Sequence, residues 1–224
     1  INDRAGPHEG GCAILLDGRI VRTPSKQPLA VPVPALAEAL AAEWDAQQDE
    51  IDPRSMRLTK LANTAIDLVA PRRDQVIAEI VNFAGTDLLC YRAEAPDALV
   101  ERQTALWDPL LGWAAEQGVS FTVTSGLMHV PQPQGSLDAY GRTVAALDPF
   151  RIAGLHNAVT LTGSAILGLA VALGRLTPEE AFDIAHLDEH WQMEISGRDE
   201  EEEARLAARR AELLETGRFI ALLG

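Results

Sequence analysis

The chain has 224 residues, 47% of them hydrophobic, and a formal net charge of −14. Such a length and apolar content suit one large globular domain or two small ones with a real core. The acidity argues against nucleic acid and anionic membrane surfaces as partners, and leaves a basic protein surface as a fitting one.

Cys12 and Cys90 are the only cysteines and stand in unrelated contexts, which suggests neither a metal knuckle nor a disulfide framework and fits a reducing compartment. The first residue is Ile and no charged-then-apolar signal segment follows it. A trimmed or processed N-terminus is therefore expected.

Residues 11–33 read as β structure, with an apolar run at 13–16, the hairpin turn Asp17-Gly18, a return over 20–23 and a further strand at 29–33. Pro34 opens a helix over 35–48, with Leu36, Leu40 and Trp44 on one face. Three-and-four spacing predicts a helix over 58–69, threaded by the polar residues Asn63, Thr64 and Asp67, which are placed to bond neighbouring backbone groups. Pro71 is expected to start the next helix and Gly85 to end it; residues 87–92 then read as a short strand.

The stretch 86–113, TDLLCYRAEAPDALVERQTALWDPLLGW, joins a buried-type run, a polar hinge and an amphipathic helix over 99–116. It holds packing aromatics and anchoring charges but no nucleophile–base pair, which points to a binder. Leu106, Leu110, Leu111 and Trp113 mark that helix's apolar face, and Asp108-Pro109 reads as helix-boundary punctuation. Residues 119–123 and 127–130 look like a β pair turning at Ser125-Gly126.

Helices follow at 136–147, 149–162, 164–173, 178–195 and 198–216. The apolar part of 157–174 is too short to span a membrane and reads as a helix buried on all sides. Its small residues Ser164, Gly168 and Ala172 invite close approach. Thr177-Pro178-Glu179-Glu180 carries the marks of a capped helix start, and Glu201 with Arg205 forms a favourable spacing on the last helix. The outline is an α+β protein: a small β-containing N-terminal domain, residues 1–92, followed by a mostly helical C-terminal domain, residues 93–224.

One pentapeptide has a catalytic look. His186-Leu187-Asp188-Glu189-His190 matches H-x-x-E-H, in which two histidines bind zinc and the glutamate acts as base. No further ligand is evident beside it, so a polar helix face is the plainer reading and a zinc-dependent hydrolase the alternative. No P-loop or nucleophile elbow occurs, and Gly163-Ser164 reads as interior to a helix.

Seven ordered blocks resemble one family. They are LDGRIVRTPSKQPLAVP (16–32), LAEALAAEWDAQ (36–47), MRLTKLANTAIDLV (56–69), TDLLCYRAEAP (86–96), RQTALWDPLLGWA (102–114), GSAILGLAVALG (163–174) and LDEHWQME (187–194). Together they resemble the assembly chaperone of F-type ATP synthase that binds the free α subunit of the catalytic head.

The resemblance implies no catalytic site and no cofactor. It implies a protein of the bacterial cytoplasm, or of the mitochondrial matrix if eukaryotic, favoured as a monomer. By the same analogy, the partner-binding residues are expected at Glu189 first, then Asp188, Trp191 and Glu194. Trp44, Asn63, Asp67, Asp87, Arg92, Trp107 and Asp108 are expected to hold the fold. The chain departs from the family pattern in its first eleven residues and at Ser196-Gly197, where a Trp before Gly is usual.

Overall fold

The structure, a computed structural model, describes residues 5–8, 11–126, 128–197 and 199–224. Its N-terminal part is a small antiparallel sheet around β2 (Gly11–Leu16), flanked by β1 (Ala5–His8), β3 (Arg19–Ile20) and β4 (Ala30–Val31). Leu15 pairs with Ile20 and Leu16 with Arg19, leaving Asp17 and Gly18 as a two-residue loop. Both loop residues have positive φ, 51° and 72°, which matches the twist of the flanking strands. Backbone bonds of 2.8–2.9 Å then tie Ile14, Val21 and Leu29 together.

α1 (Pro34–Asp45) lays Leu36 and Leu40 on this sheet, and α2 (Arg57–Thr64) adds Leu58, Leu61 and Ala62. The α2 helix widens into a π turn over Ala65–Val69 and a 3-10 turn over Ala70–Arg72. The next helix, α3 (Arg73–Ala84), therefore begins after Pro71 and not at it.

Residues Leu88–Cys90 form a 3-10 turn, so only Tyr91–Arg92 (β5) is strand. α4 (Asp97–Glu116) carries Pro109 inside it, correcting the reading of Asp108-Pro109 as a boundary. Trp107 and Leu110 bury on either side of the proline, and that packing outweighs the ~3 kcal/mol cost of proline in a helix interior. The buried face runs through Leu99, Gln103, Trp107, Leu110 and Ala114, while Leu106, expected inside, is 43% exposed.

The expected hairpin over 119–130 does not form among the described residues, and Leu127 lies outside them. β6 (Thr124–Ser125) instead pairs in parallel with β5. The Gln132 side chain clamps Thr122, accepting from its N–H at 2.7 Å and donating to its carbonyl at 3.0 Å.

α5 (Gln134–Ala145), α6 (Pro149–Thr162) and α7 (Ala165–Ala172) complete the central layer. Asp148 caps α6, whose Pro149 stands at its start. Gly163 ends α6 in the left-handed region at φ 67° and Ser164 caps α7, so this pair divides two helices and is not interior to one. Residues Ala165–Val171 are buried throughout. A Cβ on Gly168 would come within 3.1 Å of the Val159 backbone nitrogen, which is why α6 and α7 pack so closely.

Asp87 lies fully buried where these elements meet. Its carboxylate accepts from Leu89 N at 3.0 Å, Ser164 Oγ at 2.8 Å and Ile166 N at 2.9 Å. One side chain thus caps a 3-10 turn and holds the start of α7.

α8 (Pro178–Ala185), α9 (Leu187–Ser196) and α10 (Glu200–Leu222) close the fold. Thr177 and Glu180 form the full capping box that starts α8. α10 threads two cores: Leu206, Leu213 and Ile220 pack with Leu161 and Phe182, while Phe219 and, just past the helix end, Leu223 fill the N-terminal core beside Ile14 and Leu40. On α10, Arg205 pairs with Glu202 at 2.5 Å, one turn position short of the expected Glu201. Among the described residues no helix is long and apolar enough to cross a membrane.

Candidate functional site

The expected single helix over 178–195 is broken at His186, whose φ of −106° and ψ of 27° leave the helical region. Its ring is buried and stacked on Phe182, with centroids 4.0 Å apart, and its Nδ1 lies 2.9 Å from the Phe182 carbonyl. A carbonyl accepts only, so Nδ1 carries the proton. The break turns α9 onto α4.

Contacts with α4 occupy most of the residues that the sequence singled out on α9. Asp188 accepts from Gln103 Nε2 at 2.8 Å, while Gln103 Oε1 accepts from Ala93 N at 2.8 Å. Glu194 pairs with Arg102 at 3.0 Å, and that guanidinium covers the Trp191 ring at 4.6 Å. Glu189 differs. It is half-buried and makes no hydrogen bond or ion pair among the described residues, acting on His186 and Arg205 only through its field.

Behind this face, Trp107 donates from its indole to the Ile184 carbonyl at 3.2 Å. Arg92 sits over the Trp107 ring at 5.1 Å, donates to the Leu89 carbonyl at 3.1 Å and pairs with Asp108 at 2.7 Å. Asp67 accepts from Thr23 Oγ1 at 2.6 Å and Ser25 N at 2.9 Å, tying the π turn to the loop after β3. Trp44 and Asn63 lie apart from α9, on α1 and α2.

Arg102 and Gln103 escaped the sequence reading. Gln103 stands at the spacing of Leu99 and Trp107, and a polar residue on a buried stripe is the signal that marks a paired amide.

The zinc arrangement is not present. The His186 ring is engaged with Phe182, and among the described residues no three His, Cys, Asp or Glu side chains gather closely enough to hold a metal ion. The motif is a helix break followed by an acidic face.

Burial lowers the His186 pKa below the usual 6.5, against the opposing pull of the Phe182 carbonyl and Glu189. The unfolded chain takes up a proton near pH 6.5 that the folded chain refuses until lower pH. Stability tied to His186 is thus complete above that pH and is lost as pH falls below it. His186→Gln is expected to reduce the loss of unfolding free energy between about pH 7 and 5.5, measured as the difference from the parent in urea titrations.

Residues 2–115 match the model of the ATP12 chaperone protein family. Two structures of Atp12 from Paracoccus denitrificans, one of them a point mutant, are 49% identical, with a TM-score of 0.93 over 97% of this chain and 94% of theirs. A chaperone candidate from Agrobacterium tumefaciens is 45% identical, with a TM-score of 0.93 over 98% of this chain and 83% of its own. The protein class is therefore that of chaperones. The chain belongs to the ATP12 chaperone family.

Proposed function

We propose that the protein serves assembly of the F-type ATP synthase, binding unassembled α subunit and shielding its β-facing interface until β arrives. A lone subunit of a ring exposes a large apolar interface, which invites aggregation, and a dedicated binder suppresses that. In bacteria this work falls in the cytoplasm.

The observation that carries the proposal is the state of the α9 face. Asp188, Trp191 and Glu194 are held by α4, whereas Glu189 keeps its charge unpaired among the described residues, within the field of Arg205 on α10. An unpaired carboxylate on a braced helix is suited to meet a cation on a partner, and a pair of that kind steers binding and is displaceable.

Glu189→Lys is expected to weaken retention of purified α subunit about tenfold or more while leaving the thermal midpoint within about 2 °C of the parent. A loss of stability equal to the loss of binding would make Glu189 a fold residue. Failure of the unmodified protein to retain α at all would remove the α subunit as client.

A further inference from the structure

Away from α9, the N-terminal part carries a groove of about 650 Å³ between α1, α2 and the loop after β3, within the ~300–1,000 Å³ typical of ligand sites. Ile51 and Leu68 line it with 56% and 49% of their surface exposed. Three buried side-chain polar atoms lack a partner among the described residues: Trp44 Nε1, Thr59 Oγ1 and Asn63 Oδ1. All three residues line this groove, and Thr59 is only 5% exposed.

Nearby groups do not satisfy them. The Glu43 carboxylate is taken by the N–H groups of Leu58 and Thr59, at 2.8 Å each. Asp67, the one acid among the lining residues, has both oxygens engaged by Thr23 and Ser25. What remains is a donor on Trp44, an acceptor on Asn63 and a hydroxyl on Thr59 that serves as either.

A peptide unit offers the matching set, one C=O and one N–H per residue. Thr59 and Asn63 are four apart on α2 and so share a face, spaced to meet one extended strand. Arg22 and Lys60 also line the groove, so despite the net charge of −14 it does not repel a neutral or acid-flanked segment.

We infer that this groove binds an extended apolar segment of the α subunit, its backbone pairing with Trp44, Thr59 and Asn63 and an apolar side chain resting on Ile51 and Leu68. The inference rests on the α subunit being the client. In the free protein the three atoms are shut off from water, each at a cost, and small side-chain rotations on binding recover that cost.

The test uses the full chain labelled with 5-fluorotryptophan, with the Trp44 signal assigned through Trp44→Phe. The probes are whole α subunit and overlapping peptides that cover its sequence. At least one apolar peptide, and α itself, are expected to shift the Trp44 signal. Thr59→Val and Asn63→Leu remove orphaned groups, so each should leave the thermal midpoint equal or higher while weakening that peptide about fivefold or more.

Retention of α with no movement of Trp44 and no effect of either variant would overturn the groove and leave the proposed function standing. Peptide binding at Trp44 without retention of α would support the groove and count against the function. A Trp44 shift that tracks protein concentration alone would assign the groove to a second copy and overturn the inference. No retention of α together with no Trp44 shift from any peptide would sink both readings.

Discussion

Asp87→Ala is expected to lower unfolding free energy by roughly 3 kcal/mol near neutral pH. The substitution leaves three donors, Leu89 N, Ser164 Oγ and Ile166 N, without their acceptor in a site closed to water. Each orphaned buried donor costs ~1–3 kcal/mol, partly offset because a buried carboxylate is itself expensive. That expense shows in its titration: burial pushes the Asp87 pKa up from 3.8 to about 6, against the hydrogen bonds from Ile166, Leu89 and Ser164 that favour the charged form.

The sign follows from which state holds the proton. Between 3.8 and about 6 the folded protein keeps a proton that the unfolded chain releases, so this group's contribution falls as pH rises through that window and is level above it. Asp87→Asn abolishes the titration and sets an amide N–H₂ against Ile166 N, so it should show an intermediate loss with no pH slope of its own. Urea unfolding of parent, alanine and asparagine variants at about pH 5 and 7 separates these terms. Equal losses for Ala and Asn at both pH values would refute the account.

The second large effect belongs to Trp107. It is the largest fully buried side chain, and its indole hydrogen bond reaches the end of α8, directly before the break that orients α9. Trp107→Ala is expected to cost ~4 kcal/mol, the usual loss for an emptied aromatic site, whereas Trp107→Phe keeps most of the packing and should cost ~1–2 kcal/mol. Because α9 is braced on α4 beside this ring, the alanine variant should also weaken α retention at temperatures where it remains folded. Circular dichroism melts and a retention assay on the same preparations read the two effects together. An alanine variant that melts like the parent would show that Trp107 does not hold α4 to α8.

Local chemistry was legible wherever neighbours in sequence decide the outcome. Asp17-Gly18 reads as a tight turn because few other pairs tolerate two positive φ angles, and Thr177 with Glu180 reads as a cap because both partners lie three residues apart. Where a distant partner decides, the pattern misleads. Nothing in residues 178–195 announces that the backbone will leave the helical region at His186, whose ring stacks on Phe182. Pro109 looks like a stop until Trp107 and Leu110 are seen held in the core. A β hairpin at 119–130 is plausible by composition, yet the Gln132 amide supplies the bonds a partner strand would have made.

The acidic helix itself was visible as LDEHWQME, but not the division of labour within it. That division depends on Arg102 and Gln103, far earlier in the chain. The orphaned atoms of Trp44, Thr59 and Asn63 belong to two helices, so their convergence on one groove is visible only in three dimensions.

The reach of α10 into the N-terminal core has a consequence for how this protein is made. Phe219 and Leu223 pack among Ile14, Leu36 and Leu40, so the core begun by the β2 and α1 residues waits for the far later residues of α10 and its end to be closed. Domains ordinarily fold as units while synthesis proceeds, N-terminal part first. Here that part stays open until α10 has emerged. A member of a chaperone family thus passes part of its own synthesis with an apolar surface uncovered.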